Sequence, residues 1–232
     1  MKSLRKGEYM NNPELILVLT IGTILMSGLM SLQMKWYHIA CWKGIFHSLA
    51  LVVTGVVGSR FWYFVENGSF LGRSLYGAIF LAPFIFFFVA KVLRIPYGYA
   101  LDFTAPAGCL TLALVKYQCM RDGCCDGIIL YLTDDHNYVR FPSQIVEMLA
   151  FLTVFFILLK MSYEAKHRGY IFAWFLVLYG SSRFVLDFLR GETVPYVWIL
   201  SAGSFWSLIA LIIGASILRI RQKVQMREVD QD

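Results

Sequence analysis

Seven stretches of about 20 predominantly apolar residues follow one another along this chain, the length one helix needs to cross a bilayer. They fall at approximately 14–34, 44–65, 75–93, 99–118, 144–162, 170–189 and 197–218. The expected architecture is an all-α integral membrane protein of about seven transmembrane helices in one polytopic domain. Composition supports that expectation, because 58% of the residues are hydrophobic and 16% are charged, against roughly a quarter charged in soluble domains. The basic start (Lys2, Arg5, Lys6) followed by an apolar run has the outline of a signal peptide. The run from Leu15 to Met34 is too long for a signal core and closes on no small-x-small site, so a retained helix is expected.

Basic residues flank the apolar runs rather than forming a block interleaved with aromatics. That excludes a nucleic-acid partner and suits a lipid surface. With seven spans, eleven Lys and Arg residues fall on the C-terminal side and nine on the other. The expectation is a basic cytoplasmic tail at 219–232 and an extracytoplasmic functional loop at 119–143. The five cysteines make no secreted disulfide framework. Cys119, Cys124, Cys125 and His136 are conceivable metal ligands, but their spacing lacks a C-x-x-C pair, and no metal or organic cofactor is expected.

The chemistry is concentrated where hydrocarbon would reject it. Arg183 lies inside YGSSRFVLDFLR with apolar flanks, and an arginine at the centre of a spanning helix costs about 2.5–3.5 kcal/mol on insertion scales. Tyr179, Arg183 and Asp187 are spaced by four, so phenol, guanidinium and carboxylate share a helix face. The bland reading is an ion pair near a helix end, with Arg183 snorkelling to the interface. The functional reading is an anion site, because a guanidinium binds phosphate bidentately and Asp187 can fix its plane.

A second concentration is KYQCMRDGCCDG, with Lys116 ending the fourth helix, Arg121 following in the loop, and Gly123 and Gly127 allowing tight turns or close backbone approach. The third is RFPSQIVE, where Pro142 and Ser143 suit a helix start and Gln144 and Glu147 share a face. Tyr76-Gly77 opens the third helix, where Gly77 permits close helix packing.

These pieces in this order resemble the prolipoprotein diacylglyceryl transferase family. GSRFWYF (58–64) is similar to its G-x-R-x-x-Y segment, which brings in Arg60, and DFTAPAG (102–108) is similar to its D-x-x-A-P-G stretch. RFPSQIVE (140–147), which begins at Arg140, resembles H-P-[ST]-Q-x-x-E, and YGSSRFVLDFLR (179–190) resembles Y-G-x-x-R-F-x-x-E-x-x-R. The chain departs from the family's signature loop, with Lys116 at its arginine, Cys119 at its asparagine and Cys124 at its glutamate; alternatively Arg121 is the functional arginine. The family's H-G-G segment becomes Tyr76-Gly77-Ala78, without the histidine.

The resemblance implies transfer of diacylglyceryl from phosphatidylglycerol to the thiol of a lipobox cysteine in a prolipoprotein signal peptide, in a bacterial cytoplasmic membrane with the site facing outward. Arg183 with Lys116 or Arg121 would grip the phosphate. Asp187 would orient Arg183, Tyr179 would bind the headgroup, and Tyr76, His136 or Glu147 would take the thiol proton. The alternative expectation is a phospholipid-binding or transport protein that uses the same anion pocket without chemistry.

Overall fold

The computed structural model describes residues 13–69, 74–123, 127–132, 138–191, 195–197 and 200–229. All seven expected helices are present: α1 (Pro13–Trp36), α2 (Lys43–Asn67), α3 (Leu75–Leu93), α4 (Tyr97–Asp122), α5 (Ser143–Tyr163), α6 (Ile171–Asp187) and α7 (Ala202–Val229). Five of them, α2, α3, α4, α5 and α7, contain stretches long and apolar enough to cross a membrane. With 17 residues, α6 is about 26 Å long, slightly short of a hydrocarbon core of about 30 Å.

The chain divides into two compact units at Leu93–Arg94. The first holds α1, α2 and α3. The buried residues of α2 are small or polar, Gly44, His47, Ser48, Thr54, Gly58 and Ser59, while Val52, Val53, Val56 and Val57 are exposed. A helix that turns valines outward and glycines inward is organised for lipid, where small residues let helix backbones approach. Ser27 and Ser48 share a 2.6 Å hydrogen bond between α1 and α2. Gly77 packs against Gly58 so closely that a Cβ at 77 would overlap the Gly58 carbonyl and the Trp62 side chain. The expected close approach at Gly77 is therefore present.

The second unit holds α4 to α7, with α4 against α5 and α6 against α7 as its most extensive contacts. Buried Asp102 of α4 accepts hydrogen bonds from the backbone N–H groups of Gly169 and, at 2.8 Å, Ile171. It thereby satisfies orphan donors at the start of α6 and opposes the positive end of that helix dipole. Gly169 takes φ +90°, which suits glycine.

Three boundaries differ from expectation. Helix α4 continues beyond 118 to Asp122, so Arg121 lies in its last turn rather than in a loop. It stops at Gly123, whose φ of +62° makes a left-handed cap with its N–H on the carbonyls of Cys119 and Met120. The expected loop at 119–143 also contains an antiparallel hairpin, β1 (Ile129–Leu132) with β2 (Tyr138–Arg140). The seventh apolar run begins as a second hairpin, β3 (Pro195–Val197) with β4 (Leu200–Ser201). β-Branched and aromatic residues after a proline favour extended chain there. At its other end α7 runs on to Val229, so the basic stretch from Arg219 is helical; its Arg, Gln, Lys and Met residues are good helix formers.

Candidate functional site

Helices α4 and α6 run in the same direction and α5 opposes them, so the C-terminal ends of α4 and α6 meet the start of α5. Pro142 precedes Ser143, the first residue of α5, and that start sets Glu147 in the second turn. Glu147 is fully buried and collects three cations. Its Oε2 lies 2.6 Å from Lys116 Nζ of α4. Its Oε1 lies 3.1 Å from Arg183 NH1 of α6 and 3.5 Å from Arg190 Nε just beyond α6.

Asp187 forms the second acidic pole. Its Oδ1 is 3.2 Å from Arg183 NH2, one helical turn earlier, and 3.9 Å from Arg190 NH1. Its Oδ2 accepts hydrogen bonds from Ser201 Oγ and, at 2.8 Å, from Ser204 Oγ at the start of α7. Among the described residues, three cations therefore surround two carboxylates, leaving one positive charge at a site where the Arg183 side chain is only 10% exposed. Buried charges persist only when paired: Asp187 has both ion pairs and hydroxyl donors, whereas the Glu147 oxygens are held by close cations without aligned hydrogen bonds. Tyr179, the first residue of the predicted stripe, is fully buried with its ring against Phe151 and Phe175, at centroid separations of 5.7 and 5.4 Å.

The polar connection after α4 is laced onto this end of the unit. Gly127 bridges to Arg190, and Ile128 N–H donates to the Leu189 carbonyl at 3.1 Å. Phe141 N–H returns a bond to the Ile128 carbonyl at 2.9 Å. A Cβ on Gly127 would sit 2.7 Å from that of Phe141, and a Cβ on Gly191 would sit 3.4 Å from Arg140 NH1. Gly127 and Arg140 thus join the rim of the cluster, while Gly123 is the left-handed cap of α4. Gln144 is buried one turn before Glu147 on the same face of α5.

Other expected residues are placed differently. Arg121 is exposed and follows Lys116 by five positions, about 140° around the helix. Arg60 is exposed on α2 and Tyr76 is buried with its ring stacked on Phe80, both within the first unit. Cys124, Cys125 and His136 lie outside the described residues. Arg190 was not among the residues singled out as site candidates, although its spacing of three from Asp187 and its place at the end of YGSSRFVLDFLR both signalled it. Ser201 and Ser204 carried no signal, because only the packing of α7 on α6 brings them to Asp187.

A model of the prolipoprotein diacylglyceryl transferase family matches residues 16–220. The chain belongs to this family. A phosphatidylglycerol–prolipoprotein diacylglyceryl transferase of Clostridium tetani is 26% identical over 191 residues, covering 73% of this chain and 77% of that protein. One from Dehalococcoides mccartyi is 24% identical over 191 residues, covering 76% and 73%. Against this diacylglyceryl transferase background, the segments that carry the resemblance divide between the units. GSRFWYF lies in α2, whereas DFTAPAG, RFPSQIVE and YGSSRFVLDFLR build α4, the start of α5 and α6. Lys116 reaches Glu147 and so shares a carboxylate with Arg183.

Proposed function

We propose that this protein transfers diacylglyceryl from phosphatidylglycerol to the thiol of a lipobox cysteine in a prolipoprotein signal peptide. The observation that carries the reading is the buried cluster of Lys116, Arg183 and Arg190 around Glu147 and Asp187, with its surplus positive charge. In the reaction, thiolate sulfur attacks the glyceryl carbon bonded to the phosphate oxygen. A C–S bond forms, the C–O bond breaks, and glycerol phosphate departs with the bonding pair. Negative charge grows on the leaving oxygen, and preorganised cations in a water-poor site stabilise it. Arg183 and Lys116 approach the phosphate from two helices, with Arg190 and Arg140 at the rim.

Glu147 is the organiser in this reading. Both of its oxygens face cations, so its role is to gather them, and the thiol proton goes to another base. Lys116 rather than Arg121 replaces the family's arginine, because it shares Glu147 with Arg183. A shallow, largely apolar surface formed by Ala150, Ser181, Ser182, Val185 and Leu186 lies on α5 and α6, where an acyl chain would remain in lipid while the headgroup reaches inward.

The setting is a bacterial cytoplasmic membrane crossed seven times, with the site facing outward. Arg221 of α7 donates at 2.7 Å to the Lys166 carbonyl and lies over the Tyr170 ring, 3.9 Å from its centroid. Lys166, Arg168 and Arg221 therefore gather at the opposite end of the second unit from Glu147, and short basic connections favour the cytoplasm.

The test is purified protein in phosphatidylglycerol bilayers with a lipobox peptide. Thioether-linked peptide and glycerol phosphate should appear in equal amounts. Intact, folded protein that consumes no phosphatidylglycerol with any acceptor would refute the assignment.

A further inference from the structure

Asp187 stands between two sets of partners. One oxygen faces the guanidinium groups of Arg183 and Arg190, and the other is held by the hydroxyls of Ser201 and Ser204. Ser204 is itself buried, and its N–H donates at 3.1 Å to Ser201 Oγ, an N-terminal capping contact for α7. Gly203 brings the helix start against the pair: a Cβ there would be 2.6 Å from Asp187 Oδ1 and 3.2 Å from Arg183 NH2. The carboxylate is thus stabilised from the α7 side by two hydroxyls and by the positive end of a 28-residue helix.

We propose that Ser204 and Ser201 are positioning residues for the phosphate-binding guanidinium. By holding Oδ2 of Asp187 against the first turn of α7, they fix the carboxylate whose Oδ1 meets Arg183 NH2 at 3.2 Å. This rests on the phospholipid-transferase reading and deepens it, by naming what fixes the orientation of the central cation.

A carboxylate free to rotate would carry the guanidinium with it. Two hydroxyl donors on Oδ2 hold its plane, so Oδ1 meets Arg183 NH2 in one arrangement and the guanidinium plane is set with it. Ser201 and Ser204 act through Asp187 and touch no reacting atom. Their removal therefore weakens recognition of the phosphate more than the bond-breaking step.

The experiment uses the full chain in nanodiscs with a varied fraction of phosphatidylglycerol, a lipobox peptide as acceptor, and glycerol phosphate as competing anion. Losing a hydrogen bond to a charged group corresponds to a change of about tenfold or more. On that scale, Ser204→Ala should raise both the KM for phosphatidylglycerol and the inhibition constant of glycerol phosphate about tenfold, with kcat within about twofold. Ser204→Thr, which keeps the hydroxyl, should restore both. Ser201→Ala should shift the same two constants in the same direction, and it serves as the test if Ser204→Ala does not fold. Unchanged KM and inhibition constant in folded variants would overturn the proposal, as would a loss confined to kcat. Wild-type protein that binds glycerol phosphate yet forms no thioether would refute the transferase reading, and the binding arm would still judge the serines. No glycerol phosphate binding by wild-type protein would overturn the positioning role.

Discussion

Replacing Glu147 with glutamine tests the whole arrangement, because the change keeps shape and removes one charge. The side chain is 1% exposed and has cations at 2.6, 3.1 and 3.5 Å, so solvent screening is slight. Breaking a buried ion pair costs about 3–5 kcal/mol. The glutamine oxygen still accepts from one cation, while its amide NH2 group opposes the donor of the other, so the cost is at least the lower figure, about 3 kcal/mol. For a chain of this size each kcal/mol shifts Tm by about 2–4 °C, giving a fall of about 6–12 °C. Thermal unfolding in detergent, followed by tryptophan fluorescence, reads this directly. The double variant Glu147→Gln/Lys116→Met removes the unpaired cation as well and should recover part of the loss, with a coupling of at least about 0.5 kcal/mol. A Tm within 2 °C of wild type, or strictly additive single and double variants, would refute the view that Glu147 gathers these cations.

Lys116→Met should lower kcat/KM about a hundredfold, whereas Arg121→Met should change it less than about threefold, since one truncated charge contact at a buried site is worth about 2–5 kcal/mol and an exposed one little. Equal losses in a side-by-side lipidation assay would restore Arg121 as the functional cation. Gly77→Val should destabilise the first unit by about 1–3 kcal/mol or more through overlap with Gly58 and Trp62, read as a lowered Tm; an unchanged Tm would mean that α2 and α3 do not pack as described. Asp102→Ala leaves one buried and one part-buried backbone donor without their carboxylate, at about 1–3 kcal/mol for the buried one. Hydrogen exchange should rise at Gly169 and Ile171 well before it rises in α7, and uniform protection would contradict the capping role.

The existence of the helices was legible because a spanning helix must satisfy its backbone within itself and present apolar side chains for about 20 residues. That demand leaves a one-dimensional signature, and all seven apolar runs became helices. Helix ends were less legible. The fourth helix was expected to end at Lys116 with Arg121 in the loop, yet polarity at a membrane boundary does not end a helix; Gly123 does, through its left-handed backbone. The run from 197 was read as helix because apolar content alone cannot distinguish a short strand from the start of a helix.

The sequence by itself determined the membrane setting, the family and the stripe of Tyr179, Arg183 and Asp187, because each rests on composition or on spacing along one helix. Tertiary structure decided which charges meet. Lys116, Glu147 and Arg183 sit on three different helices, and nothing in their separation along the chain says that one carboxylate will hold two of them. The same holds for Ser204, an unremarked hydroxyl in a run of apolar residues until α7 packs on α6. A charge buried in a low-dielectric bundle must find partners wherever the neighbouring helices put them, and that placement is a property of packing rather than of any local pattern.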